Sequence, residues 1–169
     1  MEIKLFNKVL DYFEGVKEGY HEGIYDGVCE TRKKIIFNIN VDVAGTILGT
    51  EYASIMAEQA LVDYVDYISN EISFPIVTRQ DIYSSDSIPF SDKGVPAINL
   101  MRFGRPGAAH IHNRHDTMSF ISKESLEKTY SFLEYISKKL INANVFPVKR
   151  EIPENIKKKI DEYLFKNEK

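Results

Sequence analysis

Residues 34–43, Lys-Ile-Ile-Phe-Asn-Ile-Asn-Val-Asp-Val, constrain the fold of this chain more than any other stretch. The run begins apolar and β-branched and ends in alternation, the pattern of a largely buried strand. A strand of that kind needs layers packed against it. It also cannot end in an unpartnered aspartate without a desolvation cost of roughly several kcal/mol. Asp42 therefore either has a cation or positive side chain beside it or lies open to water. Capping a turn around Gly45 is its simplest structural role.

The remaining elements supply the layers. Ile3, Phe6, Val9, Leu10 and Phe13 follow a helical period that Gly15 ends. Gly15, Gly19, Gly23 and Gly27 then recur every four residues, each preceded by an acid: Glu14, Glu18, Glu22 and Asp26. Each glycine inside a helix costs ~1 kcal/mol relative to alanine, so residues 1–33 read as a helix followed by a Gly/acid-rich connection or a partner-braced segment. From Thr50, as N-cap with Glu51 in the first turn, the spacing of Tyr52, Ile55, Met56, Leu61, Val65, Ile68 and Ile72 predicts an amphipathic helix to about Ser73. Residues 74–78 and 96–101 are short strand candidates, with a loop at 84–89 between them. Ser122 caps a helix carrying Leu126, Tyr130, Leu133, Ile136 and Leu140 on one face. Pro153 opens a last helix with Ile156, Ile160, Tyr163 and Leu164. This order predicts an α/β fold, a mostly parallel central sheet flanked by helices. The expected organisation is an N-terminal segment 1–33, an α/β domain 34–148 and a C-terminal helix 149–169 packing on that domain.

Composition narrows the partners. A formal net charge of −3 and an isoelectric point near 5.8 give no electrostatic footprint for nucleic acid. No run approaches the ~18 apolar residues of a membrane span. Cys29 is the only cysteine, and the first ten residues lack the apolar core of a signal peptide, so the expected setting is the reducing cytoplasm. A small molecule, a peptide or another protein is the expected partner.

Chemistry concentrates at 110–117, His-Ile-His-Asn-Arg-His-Asp-Thr, which holds three of the four histidines. Neutral imidazole is the commonest protein ligand for zinc and related ions. His110 and His112 would point the same way from an extended segment, and His115 follows at a turn-like offset. Asp42, Asp86 and His112 all follow or end predicted strands, where α/β folds gather their sites.

Three segments stand in a recognisable order: Asn40-Val41-Asp42-Val43-Ala44-Gly45, then Ser85-Asp86-Ser87-Ile88-Pro89-Phe90 with Gly94-Val95-Pro96-Ala97-Ile98-Asn99-Leu100, then His112-Asn113-Arg114-His115-Asp116-Thr117. From about Lys34 to Leu140 the chain resembles the C-terminal half of the bacterial di-zinc aminopeptidases, the zinc exopeptidase family that includes glutaminyl cyclases and glutamate carboxypeptidases. The resemblance implies a partial zinc-exopeptidase α/β/α sandwich and zinc as the metal. It assigns Asp42 to one ion and His112 to the other. Asp86 or Asp116 would be a carboxylate that orients His112, as outer acids commonly hold a ligating imidazole. His110 and His115 match no family ligand and remain possible additional ones. Ser87 departs from the His or Phe usual at its position.

Other family features are missing. An earlier histidine ligand, a bridging aspartate and a Glu-Glu pair stand upstream of the Asp42 strand in family members, and no Glu-Glu dipeptide occurs in this chain. A catalytic zinc normally has about three protein ligands and a water. The resemblance therefore implies no catalytic residue here and an aminopeptidase-like chain that is inactive alone, whether a separately encoded half, a fragment or a truncated relative. Peptide would be its substrate once a complementary N-terminal half is supplied. An unpaired sheet edge would drive homo-oligomerisation or co-folding with that half. The alternative is a noncatalytic binding or assembly module on the same scaffold. A third is a new metal site built from Asp42, Asp86, His110, His112 and His115.

Overall fold

The structure, a computed structural model, describes residues 35–104 and 114–166. The expected N-terminal helix and glycine period lie outside them. The described elements are β1 (Asn38–Asp42), β2 (Gly49–Met56), α1 (Gln59–Glu71), β3 (Ile76–Arg79), α2 (Ile88–Asp92), β4 (Ala97–Gly104), α3 (Lys123–Ile141) and α4 (Glu154–Tyr163), with a 3-10 turn at Met118–Phe120.

These strands form one sheet in the order β1-β4-β2-β3. β1 pairs parallel to β4 and β2 parallel to β3, while β2 runs antiparallel to β4. The sheet is thus mostly parallel and mixed at its centre. Residues paired across strands share a face and neighbours along a strand alternate, so the register sorts the side chains. Ile39, Ala53, Ile55, Ile98 and Leu100 face one layer, where they pack with Leu61, Val65 and Ile68 of α1 and Phe132, Ile136 and Leu140 of α3. Met56 and Ala97 face the other, under Ile88 of α2 and Ile152, Ile156 and Ile160 at α4. The result is a three-layer α/β/α sandwich.

The helix expected from Thr50 is corrected. Residues 49–56 form β2, Thr50 caps nothing, and α1 begins only at Gln59. β2 lies between β4 and β3, with helices over both faces. Most of its side chains are therefore buried on both sides, so the strand lacks a clean two-residue alternation, and Tyr52, Ile55 and Met56 fit the helical period as well. The strand expected at 74–78 begins at Ile76, because Phe74 turns inward to stack on Phe132 at 4.6 Å between ring centroids. Ser122 does cap α3, accepting the Ser125 amide at 3.2 Å. Pro153 directly precedes α4.

Candidate metal centre

Asp42 is the last residue of β1, and β4 ends at the same side of the sheet because the two strands are parallel. Its carboxylate is half-buried. The turn that follows is unusual: Val43 and Gly45 both occupy left-handed backbone, at φ 50° and 88°. For a β-branched valine this conformation costs ~1–3 kcal/mol, so the surroundings must enforce it. They do so from two sides. Arg102 takes hold of Val43 and Thr46 from β4, its amide donating to the Val43 carbonyl at 3.2 Å and its Nε to the Thr46 carbonyl at 2.7 Å. On the other side the Gly45 carbonyl accepts the Ser122 amide at 2.8 Å, Thr46 forms a bridge with Ile121, and the Ile47 amide donates to Phe120 at 3.1 Å.

Those last contacts join the end of the first sequence segment to the stretch that follows the third. The Asp42 turn is stitched to residues 120–122, directly beyond Asp116 and Thr117. His110 and His112 lie outside the described residues. His115 and Asp116 are exposed, and Arg114 Nε donates to His115 Nε2 at 3.2 Å.

The middle segment runs over the sheet face that carries Asn38, Asn40 and Asp42. Ser54 Oγ donates to the Asp81 carbonyl at 2.7 Å, the Tyr83 ring lies 5.4 Å from that of Phe103, and Ser87 Oγ donates to Asn38 Oδ1 at 2.9 Å. Tyr83 is within electrostatic reach of Asp42, whereas Ser87 meets β1 at its opposite end, about 13 Å along the strand. Asp86, between them in sequence, is half-buried. Ser87 is fully buried, and its bond to Asn38 accounts for a small hydroxyl at that position. Beside it Asn40 Nδ2 donates to the buried Asn99 Oδ1 at 2.6 Å, which satisfies a polar pair in the middle of the sheet.

Two features were not singled out from the sequence. Burial, then the Asp42 carboxylate, push the Tyr83 hydroxyl above the ordinary tyrosine range. Nothing in the sequence spacing marks it except its place three residues before Asp86. The second is a buried ion pair, Arg102 Nη1 to Glu51 Oε1 at 3.0 Å, with Thr129 Oγ1 donating to the same oxygen at 3.0 Å. Glu51, assigned from sequence to a first helical turn, is instead a β2 side chain facing α3. Its placement follows only from the corrected strand.

Zinc takes about four donors. Asp42 offers one carboxylate, and among the described residues no group of three or more His, Cys, Asp or Glu side chains is placed to hold an ion. The described residues thus do not by themselves fit a complete zinc site.

The described residues thus form an α/β/α sandwich with a carboxylate at the C-terminal end of a parallel strand. The family model for peptidase family M28 matches residues 20–136, well over half of the chain, and the chain belongs to that family. Two solved structures of BSAP, a zinc aminopeptidase from Bacillus subtilis, share the fold. One has a TM-score of 0.55 at 21% identity over 78% of this chain, the other 0.58 at 20% over 79%. In both, the match spans 36% of the BSAP chain, so this chain corresponds to about a third of that protein's length. No curated protein matches the chain.

Proposed function

We propose that this peptidase-like chain carries the C-terminal half of a zinc aminopeptidase centre, with Asp42 and His112 each holding one of two zinc ions. Asp86 and Asp116 are proposed to orient His112, and His110 and His115 are additional donors to test. The remaining ligands and the general base come from outside residues 1–169, in the same protein or on a complementary chain, and the substrate is then the N-terminal residue of a peptide. The observation that supports this proposal is the stitching of the Asp42 turn to residues 120–122, which follow the third segment of the family pattern closely in sequence. Among the described residues no helix is long and apolar enough to cross a membrane, which is compatible with the proposed cytoplasmic setting.

Elemental analysis of tag-free protein tests the metal assignment. Wild type is expected to hold zinc that Asp42→Ala and His112→Ala each reduce, and zinc unaffected by both would overturn it. An aminoacyl reporter tests completeness. The chain alone is expected to show no turnover, and metal-dependent turnover lost in both variants would mean that the catalytic set is whole.

A second reading, a noncatalytic assembly module, draws on the outer edge of β1. Val41 of β1 is 39% exposed, and Ile36 just before the strand is 54% exposed. Stable self-association without zinc would favour it.

A further inference from the structure

We infer that the cavity over the Glu51–Arg102 pair is a binding site for a neutral carboxamide carried on a small apolar body. The cavity holds about 670 Å³ between the start of β2, the turn 72–75 and α3. It lies on the face of the sheet away from Asp42, which does not line it. A cleft of this size, with apolar walls and a few convergent polar groups, is the usual form of a small-molecule site.

The floor supplies the polar groups. Glu51 is 4% exposed, yet its ion pair meets at one point instead of two. Arg102 Nη1 and Thr129 Oγ1 both donate to Glu51 Oε1, and Arg102 Nε is turned to the Thr46 carbonyl. Among the described residues, Glu51 Oε2 and Arg102 Nη2 have no hydrogen-bond partner. A buried acceptor and donor left over in this way are costly to leave unmatched. A primary carboxamide offers a donor and an acceptor side by side and brings no charge. Charge disfavours the ionic alternatives: an amidinium that reached Glu51 would stand beside the Arg102 guanidinium, and a carboxylate that reached Arg102 would stand beside Glu51. At the mouth, Glu124 is already paired with Lys128 at 2.6 Å and Glu127 with Lys123 at 3.4 Å. The walls suit an apolar body, with Ile72, Pro75 and the stacked rings of Phe74 and Phe132. The turn that brings Phe74 inward is set in advance. Ser73 holds left-handed backbone at φ 53°, and the Phe74 amide donates to the Ser69 carbonyl at 2.8 Å. Strain of that kind in a non-glycine residue gathers where ligands are clamped.

Benzamide, benzamidine and benzoate, one shape in three charge states, are the probes. Each is titrated into the nitrogen-15-labelled full chain and followed by amide shifts. Benzamide is expected to bind with a Kd on the order of 1 mM, to move the Gly49, Ser73 and Ser131 amides, and to bind roughly tenfold more tightly than either ion. The double variant Glu51→Leu/Arg102→Met removes both polar partners and leaves no unpaired charge, while Thr129 keeps its bond to the Ser125 carbonyl. Ser131→Trp fills the mouth from an exposed position on α3. Each variant should weaken benzamide roughly tenfold. No shift with any probe overturns the inference, as does benzamide binding that Ser131→Trp leaves unchanged. Tighter binding of benzamidine or benzoate overturns the neutral class, and wild-type affinity in a folded double variant overturns the role of the ion pair. Where the double variant does not fold, the Ser131→Trp titration and the order of the three probes decide.

Discussion

Gly45 shows how little freedom the turn after Asp42 has. A Cβ at this position would stand 2.7 Å from Leu126 Cδ2 and 3.0 Å from Ile121 Cγ2, on a backbone at φ 88° that alanine adopts only with strain. Leu126 is a flexible side chain that can give way; the backbone conformation cannot change without releasing Ser122. Gly45→Ala is therefore expected to destabilise the chain by about 1–3 kcal/mol in urea unfolding. It should also speed hydrogen exchange at the Ile47 and Ser122 amides, which join the turn to residues 120–122. Unchanged exchange at both would mean that the turn is held elsewhere. Asp42 was legible as a strand-end carboxylate because alternation is a local signal. Arg102 was not, because the contacts that give it meaning span 51 to 56 residues of chain.

Among the elements, α4 depends on a few contacts. Ile156 and Ile160 are almost wholly buried against Ile88, Met56 and Ala97, so Ile156→Ala should cost about 2–5 kcal/mol, read as a lower urea midpoint. Charge fixes the other end. Asp92 of α2 is 4% exposed at its side chain and paired with Lys93 and with Lys166 beyond α4. Burial raises its carboxyl pKa, but the hydrogen bonds and charges of Lys166 and Lys93 outweigh this and hold it below the ordinary aspartate range. Its contribution is therefore present above the unfolded-state value, near 4, and is lost as pH falls through the lower folded value. Asp92→Asn should flatten the acid limb of the stability profile below about pH 4, and an unaltered limb would assign acid sensitivity to other carboxylates. The helix caps at Ser122 and Pro153 could be read from sequence because capping is chemistry within one turn. β2 could not, since its burial on both faces is a property of the finished sheet and erases the two-residue period.

At the scale of the whole molecule the sheet closes on helices above and below but ends, among the described residues, at β1 on one side and β3 on the other. If the β1 edge is where further chain adds, Val41→Lys should reduce association or complementation while leaving the melting temperature nearly unchanged, as charged residues do on natural sheet edges. Light scattering of the two proteins at equal concentration checks this, and equal masses for both would move the contact elsewhere. The strand order has another consequence, in time. β1 is made early but pairs with β4, with Asn40 and Asn99 separated by 59 residues, while β2, α1 and β3 are neighbours in sequence. During synthesis at about 5–20 residues per second, β1 waits several seconds for its partner, long enough for shorter-range structure to form first. The end of β1 that carries Asp42 thus takes its shape only once β4 and residues 120–122 have been made, and a chaperone or assembling chain that arrives earlier meets the protein with its candidate centre still unmade.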